Sequence, residues 1–423
     1  MLNYRQTLET LLLILSPPLV IDLVIIAPNH RRLVRAIEIQ NKLVDHRNSW
    51  RFSEPRLCYA VLCGSRGGFR LPWSEHRMKK RTTIAVVLCV LSAQTPFSIV
   101  SGQAIFTPVV VGTATAIPGV VEGGAEIQHI LEGYNGLDDP IGLMDGSLVF
   151  AEPGALRIHS LDPETNQVSV LVAESNESHG GTQDAAGRLI SAQAWDGSTR
   201  IGVIYPPESE AVLADSYDGR PFSRPNDLIV ARNGGLYFTD PGLTAGQAER
   251  LVERYGGRPL DLRLPAAVYY IPLGGDPVRI EENMIRPNGI QLSRDESTLY
   301  VSDSNGEHLI AWDIQPNGLV DNRREFGVLE GRSRRDNGLG GVRTFADGMA
   351  VDSDDRVYVS TGAGIEVLSS QGEHLGIIPV GCLPRDCQNV AFGGPTKQTL
   401  YVAGAGSLYK VEMLARGLTE RAK

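Results

Sequence analysis

Alternating apolar and polar residues recur in six short segments of this chain. Each segment is rich in Val, Leu, Ile, Tyr or Phe and follows a turn-forming residue, which is the pattern of a β-strand entered from a turn. The segments read GSLVFAE (146–152), GRLISAQ (187–193), GGLYFTD (234–240), STLYVSD (297–303), DRVYVST (355–361) and QTLYVAG (398–404). Further alternating segments follow three of them: AAVYYIPL (266–273), HLIAWDI (308–314) and SLYKVEM (407–413).

The six segments are spaced like the blades of a propeller. Their central Leu or Val residues lie about 40 to 65 residues apart, which fits one four-stranded blade with loops of unequal length. The sequence from residue 126 onward has no long stretch with a helical period. We therefore predict an all-β, six-bladed β-propeller, with an irregular β-sandwich as the alternative. Ring closure needs a strand from one end of the chain to complete the blade formed by the other, and Glu126–Leu131 is the candidate.

A polar residue precedes each segment at a nearly constant distance. Stepping back ten or eleven residues from each central Leu or Val gives Asp138, His179, Asn226, Asn288, Asp347 and Asn389. Six strands in register would place these side chains around one axis. The sequence therefore predicts a metal site in the central channel of the propeller.

Four of these positions carry oxygen ligands. Asn226 and Asn288 lie in similar frames, SRPNDLIV and IRPNGIQL, and Asp347 lies in FADGMAVD. Together with Asp138 in GLDDPIGL, they offer two carboxylates and two amide oxygens, which suit a hard divalent ion such as Ca²⁺ or Mg²⁺. The alternative for any one of them is an Asx residue that caps a turn before a strand. Their shared register favours a common site.

The N-terminal part of the chain has a different composition. Residues 1–83 hold 14 Lys and Arg against 6 Asp and Glu, whereas the rest of the chain is acidic and the whole has a net charge of −9. Residues 78–104 resemble a secretory signal, because Met78 and a basic cluster precede the short apolar run 84–91. We expect translation to start at Met78, with residues 1–77 as upstream sequence read in frame; the alternative is a genuine N-terminal extension whose apolar stretch 11–26 forms a membrane anchor. We expect residues 105–125 to be a linker and 126–423 to be the propeller. The expected location is secreted or periplasmic.

Cysteines and charge limit the other possibilities. Cys382 and Cys387 are the two cysteines of the predicted propeller, and they either form a small disulfide or stay as thiols. The acidity of the propeller argues against a nucleic-acid partner and against binding to an anionic membrane surface. The sequence says nothing about the oligomeric state.

The segments RPNDLIVARNGGLYFTDPG, RPNGIQLSRDESTLYVSD and ADGMAVDSDDRVYVST resemble the SMP-30/gluconolactonase family, which includes lactonases and diisopropylfluorophosphatase-like phosphotriesterases. The likeness runs from about Leu137 to Met413. It implies a six-bladed propeller with one catalytic divalent cation in its channel, calcium first, with magnesium, manganese or zinc as alternatives. It also implies metal ligands at Asn226, Asn288 and Asp347.

The remaining ligand implied by the resemblance is a Glu in an EGP frame of the first blade. The matching frame here is Asp138-Asp139-Pro140, so either Asp138 or Asp139 takes the place of that Glu. Glu132 is a weaker candidate. Asp139, His179 and Asn389 are the predicted substrate-binding residues, although His179 and Asn389 have structural packing roles as alternatives.

The resemblance implies hydrolysis of a cyclic ester such as a sugar lactone. The metal would polarise the carbonyl group, and water would attack it with Asp347 as the general base. Asp227 would either share that role or hold Asn226 in place. No G-x-S-x-G elbow, P-loop or dinucleotide fingerprint supports another reaction. A non-catalytic sugar- or metal-binding propeller and a phosphotriesterase-like hydrolase are the alternatives.

Overall fold

The structure is a computed structural model that describes residues 107–195, 197–249, 263–330, 342–381 and 387–423, and the backbone of 59–62, 85–88 and 333–336. The chain divides into two units, Met1–Ser101 and Gly102–Lys423. In the first unit, the strands Tyr59–Leu62 and Ala85–Leu88 pair in parallel. The predicted extension (1–77) and signal-like segment (78–104) otherwise lie outside the described residues.

The second unit is a six-bladed β-propeller, as the sequence predicted. Each blade is an antiparallel sheet that begins with an inner strand at the central channel. Blade 1 consists of Asp138–Gly142, Leu148–Glu152, Arg157–Leu161 and Val168–Val172. Blade 2 consists of Ser178–Gln183, Leu189–Gln193, Arg200–Tyr205 and Ala211–Ala214. Blade 3 consists of Leu228–Val230, Leu236–Asp240, Ala267–Ile271 and Val278–Glu281. Blades 4 and 5 consist of Pro287–Leu292, Thr298–Asp303, His308–Ile314 and Val320–Val328; and Met349–Val351, Val357–Thr361, Gly364–Leu368 and His374–Ile378.

Blade 6 closes the ring with strands from both ends of the unit. Asn389–Gly393, Thr399–Gly404 and Ser407–Glu412 pair in order, and Ser407–Glu412 then pairs with Glu126–Leu131. Glu126–Leu131 is the closing strand that the sequence indicated. Val109–Thr113, within the predicted linker, pairs with it as a fifth and outermost strand, so the sheet begins before the expected domain boundary.

Smaller elements connect the blades. Two short hairpins pair Ser216–Tyr217 with Arg220–Pro221 and Ser333–Asp336 with Val342–Arg343, and two 3-10 turns span Pro153–Ala155 and Pro207–Ser209. Among the described residues, no helix has the length and apolar character needed to cross a membrane.

The core of the propeller lies between blades. The described residues form six clusters of buried apolar side chains, and each cluster joins one blade to its neighbour. Phe222, Phe238 and Tyr269, for example, pack ring against ring between blades 2 and 3. Burial of these faces drives closure of the ring, and it fixes the inner strands around the channel.

The hairpin after each inner strand sets the register of the channel residues. The central Leu or Val of each second strand pairs with an inner-strand residue six, seven or eight positions earlier. The separation is six in four of the blades, as in Val230 with Leu236, and seven in blade 4. In blade 6 it is eight, because Phe392 pairs with Leu400.

Candidate metal and substrate site

The residue four positions before each paired inner-strand residue occupies an equivalent place in every blade. These residues are Asp138, His179, Asn226, Asn288, Asp347 and Gln388, and we call them the ring layer. The next residues along the inner strands form the basal layer: Asp139, Gly180, Asp227, Gly289, Gly348 and Asn389. The structure thus brings together five of the six residues selected from the sequence.

Asn389 is the exception. It lies in the basal layer, and Gln388 takes the ring position of blade 6. Backbone hydrogen bonds show the equivalence, because the amides of Asp347 and Gln388 bond to Ser360 O (2.9 Å) and Ala403 O (2.7 Å) in the same way. The hairpin of blade 6 is two residues longer than most, so a step of ten or eleven residues falls one short of Gln388.

Hydroxyl groups on the second strands hold the ring layer in place. Each donates to the carbonyl oxygen of the ring residue in the next blade: Thr239 to Asn288 (2.5 Å), Ser302 to Asp347 (2.7 Å) and Ser360 to Gln388 (2.8 Å). Glycines in the basal layer allow this close approach. A Cβ on Gly180 would lie 2.4 Å from Asn226 O, for example. These hydrogen bonds join blades 3 to 6 to one another at the ring layer.

Asn288 presents an unsatisfied oxygen to the channel. Its side-chain Nδ2 donates to Ser304 Oγ (2.9 Å), and Ser304 donates in turn to Ala346 O (2.7 Å). Because these two bonds fix the orientation of the amide, Asn288 Oδ1 points away from Ser304, and it is buried without a hydrogen-bond partner. A buried amide oxygen rarely lacks a partner in a folded protein, so this atom indicates a ligand.

Two carboxyl groups of the ring layer interact unfavourably. Burial raises the pKa of Asp347 well above its usual range, and the negative charges of Asp138 and Asp227 raise it further, against a smaller opposing effect of Arg286. A divalent cation between Asp138 and Asp347 would remove this repulsion. The charge distribution therefore fits a cation in the ring layer.

His179 of the ring layer contacts Arg224, a residue outside the ring and basal layers. A guanidinium group can only donate, so the 2.8 Å contact between Arg224 Nη2 and His179 Nε2 makes Nε2 an acceptor. The proton of the imidazole then lies on Nδ1, which faces Asp138 Oδ2 at 3.3 Å. Glu177 lies 3.6 Å from His179 Nε2 and 4.0 Å from Arg224. His179 thus orients Asp138, and Arg224 offers further donors beside it.

The basal layer is filled by protein groups. Asp227 accepts hydrogen bonds from the amides of Leu228 (2.8 Å) and Ile290 (3.1 Å), and its Oδ1 also contacts Lys423 Nζ. Asp139 Oδ1 accepts from Asn389 Nδ2 at 3.3 Å and lies 3.4 Å from Lys423 Nζ. Burial raises the pKa of both aspartates, partly opposed by the charge of Lys423. Asp227 is therefore engaged by an amide of its own blade, by the amide of Ile290 in blade 4 and by Lys423.

The donor groups of the ring layer, two carboxylates and two amides (Asp138, Asn226, Asn288 and Asp347), are of the kind that hard divalent cations bind. Only two of these four are charged, and the described residues contain no group of three His, Cys, Asp or Glu side chains arranged around one point. A site of this kind depends on amide oxygens held in position, as Asn288 is. Between the two aspartates of the first blade, Asp138 faces the ring layer and Asp139 faces Lys423.

A family model described as the SMP-30/gluconolactonase/LRE-like region matches residues 143–406. The chain belongs to this family. A curated gluconolactonase from Zymomonas mobilis is 27% identical over 366 residues, which cover 79% of this chain and 97% of that protein. Two solved structures also have similar folds. A gluconolactonase from Xanthomonas campestris has a TM-score of 0.59 and 26% identity, covering 74% of this chain and 98% of that one. The calcium-binding protein regucalcin from Agrobacterium tumefaciens has a TM-score of 0.52 and 16% identity, covering 67% and 92%.

Three channel residues of this SMP-30/gluconolactonase propeller were missed from the sequence. Arg224 lies inside the quoted RPN frame, so its place beside Asn226 was the available signal. Gln388 could have been identified only if the length of the hairpin in blade 6 had been known. Lys423 gave no signal, because nothing local in the sequence indicates that it returns to the channel.

One other prediction lies partly outside the described residues. Cys387 is buried with its Sγ 2.6 Å from Val380 O, whereas Cys382 lies outside the described residues. The state of this cysteine pair therefore stays a prediction.

Proposed function

We propose that this protein is a metal-dependent lactonase that hydrolyses sugar lactones. The observation that carries the proposal is the buried, unpartnered Asn288 Oδ1, which lies in the same layer as the carboxyl groups of Asp138 and Asp347. Family membership and the similarity to curated and solved gluconolactonases support the reaction class.

The cation would be held by Asp138, Asn226, Asn288 and Asp347. Calcium is the first candidate, because all four ligands are oxygens and the similar propeller from Agrobacterium tumefaciens is described as calcium-binding. When bound there, a divalent cation supplies Lewis-acid polarisation of the lactone carbonyl group. Asp138 takes the place of the first-blade Glu of the family, with His179 orienting its carboxylate.

Asp347 is the proposed general base. Its carboxylate lies in the ring layer, where the cation would be bound and where the attacking water would have to approach the lactone carbonyl group. It would accept the proton of the attacking water. Asp227 is the less suitable base, because two backbone amides and Lys423 already bind its carboxylate.

Substrate hydroxyl groups would be bound at the mouth of the channel. Arg224 and His179 are hydrogen-bonded to each other next to Asp138, and Arg224 carries further donors for a polyol. Asp139 and Asn389 contact each other in the basal layer, so they lie below the place where a substrate would enter. The signal-like segment 78–104 supports a secreted or periplasmic location for this activity.

The test is hydrolysis of a panel of aldonolactones by the full chain, with Ca²⁺, with Mg²⁺ and with a chelator. Asp347→Asn should lower kcat by at least about 100-fold, because it removes the base and one charged ligand. Asp321→Asn, an exposed residue of blade 4, is the matched control and should keep full activity.

Three other outcomes of this test would contradict the proposed function. Turnover that a chelator does not reduce would refute the metal-dependent mechanism. A protein that binds the ion but hydrolyses no lactone would favour a binding propeller. Turnover of phosphotriesters in place of lactones would favour the phosphotriesterase-like alternative.

A further inference from the structure

The segment Gly417–Lys423 enters the channel from the end opposite the ring layer. It approaches along the hairpins that follow the inner strands, where Gly417 bridges to Asp352. Arg421 Nη2 then donates to Leu292 O at 2.6 Å, and Ala422, fully buried, accepts from Thr182 Oγ1 at 3.3 Å. These bonds join blades 2, 4 and 5, so the segment is built into the propeller.

Lys423 carries a positive charge into the basal layer. Its side chain is 0% exposed, and its Nζ donates to Asp227 Oδ1, to Leu228 O at 3.4 Å, and lies 3.4 Å from Asp139 Oδ1. A buried ammonium group needs such partners, because desolvation without them is costly. Lys423 therefore lies in the basal layer, and its positive charge balances the carboxylates there.

The basal layer has the composition of a cation site. Blades 1, 3 and 6 contribute oxygen-bearing side chains to this layer (Asp139, Asp227 and Asn389), and the other three blades contribute glycines. The glycines have no room for a side chain, since a Cβ on Gly348 would lie 1.9 Å from Asn389 Oδ1. The carboxylates of Asp139 and Asp227 both face one position, and the Lys423 ammonium group occupies it.

We propose that the basal layer is a second cation-binding site and that Lys423 is its resident cation. While Lys423 is in place, a divalent ion binds only in the ring layer. Without Lys423, the paired carboxylates of Asp139 and Asp227 take up a divalent ion in its place. The proposal does not depend on the lactonase reaction, because it concerns charge balance below the ring layer.

The test compares the full chain with Lys423→Met, without substrate. In chelator, Lys423→Met should melt about 10 °C below the wild type, since two buried carboxylates lose their counter-ion. Calcium should recover most of this loss, and equilibrium dialysis should find one more bound Ca²⁺ per chain than in the wild type. Lys397→Met is the matched control, because Lys397 is equally buried but donates only to Gly142 O at 2.7 Å among the bonds described. This control should bind no additional ion.

A double variant keeps the test decisive if Lys423→Met alone fails to fold. Asp139→Asn combined with Lys423→Met removes one negative charge with the positive one, so it should fold and should bind no additional ion. The proposal is overturned if Lys423→Met is as stable in chelator as the wild type. It is also overturned if Lys423→Met binds no more calcium than the wild type, or if the double variant is no more stable than Lys423→Met.

Discussion

Replacing Ser304 by Ala tests the geometry of the ring layer without touching a ligand. Ser304 Oγ accepts from Asn288 Nδ2 at 2.9 Å and donates to Ala346 O at 2.7 Å. Its removal leaves a buried amide nitrogen and a buried carbonyl oxygen without these partners. At about 1–3 kcal/mol for each unsatisfied group, we expect a loss of about 3 kcal/mol in the free energy of unfolding.

The same substitution should weaken cation binding. Without Ser304, no other hydrogen bond among the described residues holds the side-chain amide of Asn288 in its orientation, so the side chain can rotate. Loss of a hydrogen bond that orients a metal ligand typically costs 10- to 100-fold in affinity, so the calcium Kd should rise by about that factor. Isothermal titration with Ca²⁺ measures this change, and thermal unfolding in chelator measures the stability.

Ser360→Ala is the matched control for this experiment. Ser360 is as buried as Ser304, and its hydroxyl contacts the carbonyl oxygens of Gly348 (2.9 Å) and Gln388 (2.8 Å), but no predicted ligand side chain. Its loss should lower stability by a similar amount and change the calcium Kd less than about threefold. The reasoning fails if Ser304→Ala is destabilised yet binds calcium as the wild type does, since Asn288 Oδ1 would then not be a ligand.

Two further predictions concern stability. Burial lowers the pKa of Lys397 to about 8, so above pH 8 the unfolded chain holds this proton more tightly than the folded one. The wild type should therefore gain about 1.4 kcal/mol per pH unit relative to Lys397→Met between pH 8 and 10 in urea unfolding; a difference that does not vary with pH would contradict this. Gly348→Ala should cost about 2–3 kcal/mol in calorimetry, because its Cβ would meet Asn389 Oδ1 at 1.9 Å. Gly362→Ala, with its nearest contact at 3.5 Å, should cost little, and equal costs would refute the steric argument.

The strands of this propeller were predictable because their information is local. Leu236–Asp240 and Val357–Thr361 are second strands of blades. Both segments are rich in apolar and β-forming residues, and both are bounded by turn-forming residues. The closing strand Glu126–Leu131 was also accessible, because ring closure leaves few candidates. The outermost strand Val109–Thr113 was not, since a strand at the edge of a closed blade is not required by the topology.

The ring layer was predictable to the extent that hairpin length is constant. Asn226 and Asp347 were found because six residues separate the paired strands of their blades. Asn389 was placed one residue off because the hairpin of blade 6 is longer, which no local pattern reveals. Lys423 illustrates the opposite limit: its partners Asp139 and Asp227 are about 200 to 280 residues away, so only the folded structure shows the contact.

The closing strand also sets when this protein can finish folding. Glu126–Leu131 leaves the ribosome roughly 280 residues before its partner Ser407–Glu412, a delay of about 15 to 55 s at ordinary rates of translation. During that time the hairpin of Val109–Thr113 and Glu126–Leu131 presents a free β-edge, and three of its valines stay exposed even in the finished sheet. The interval between synthesis of the two strands is therefore when the nascent chain is most open to pairing with another copy of itself.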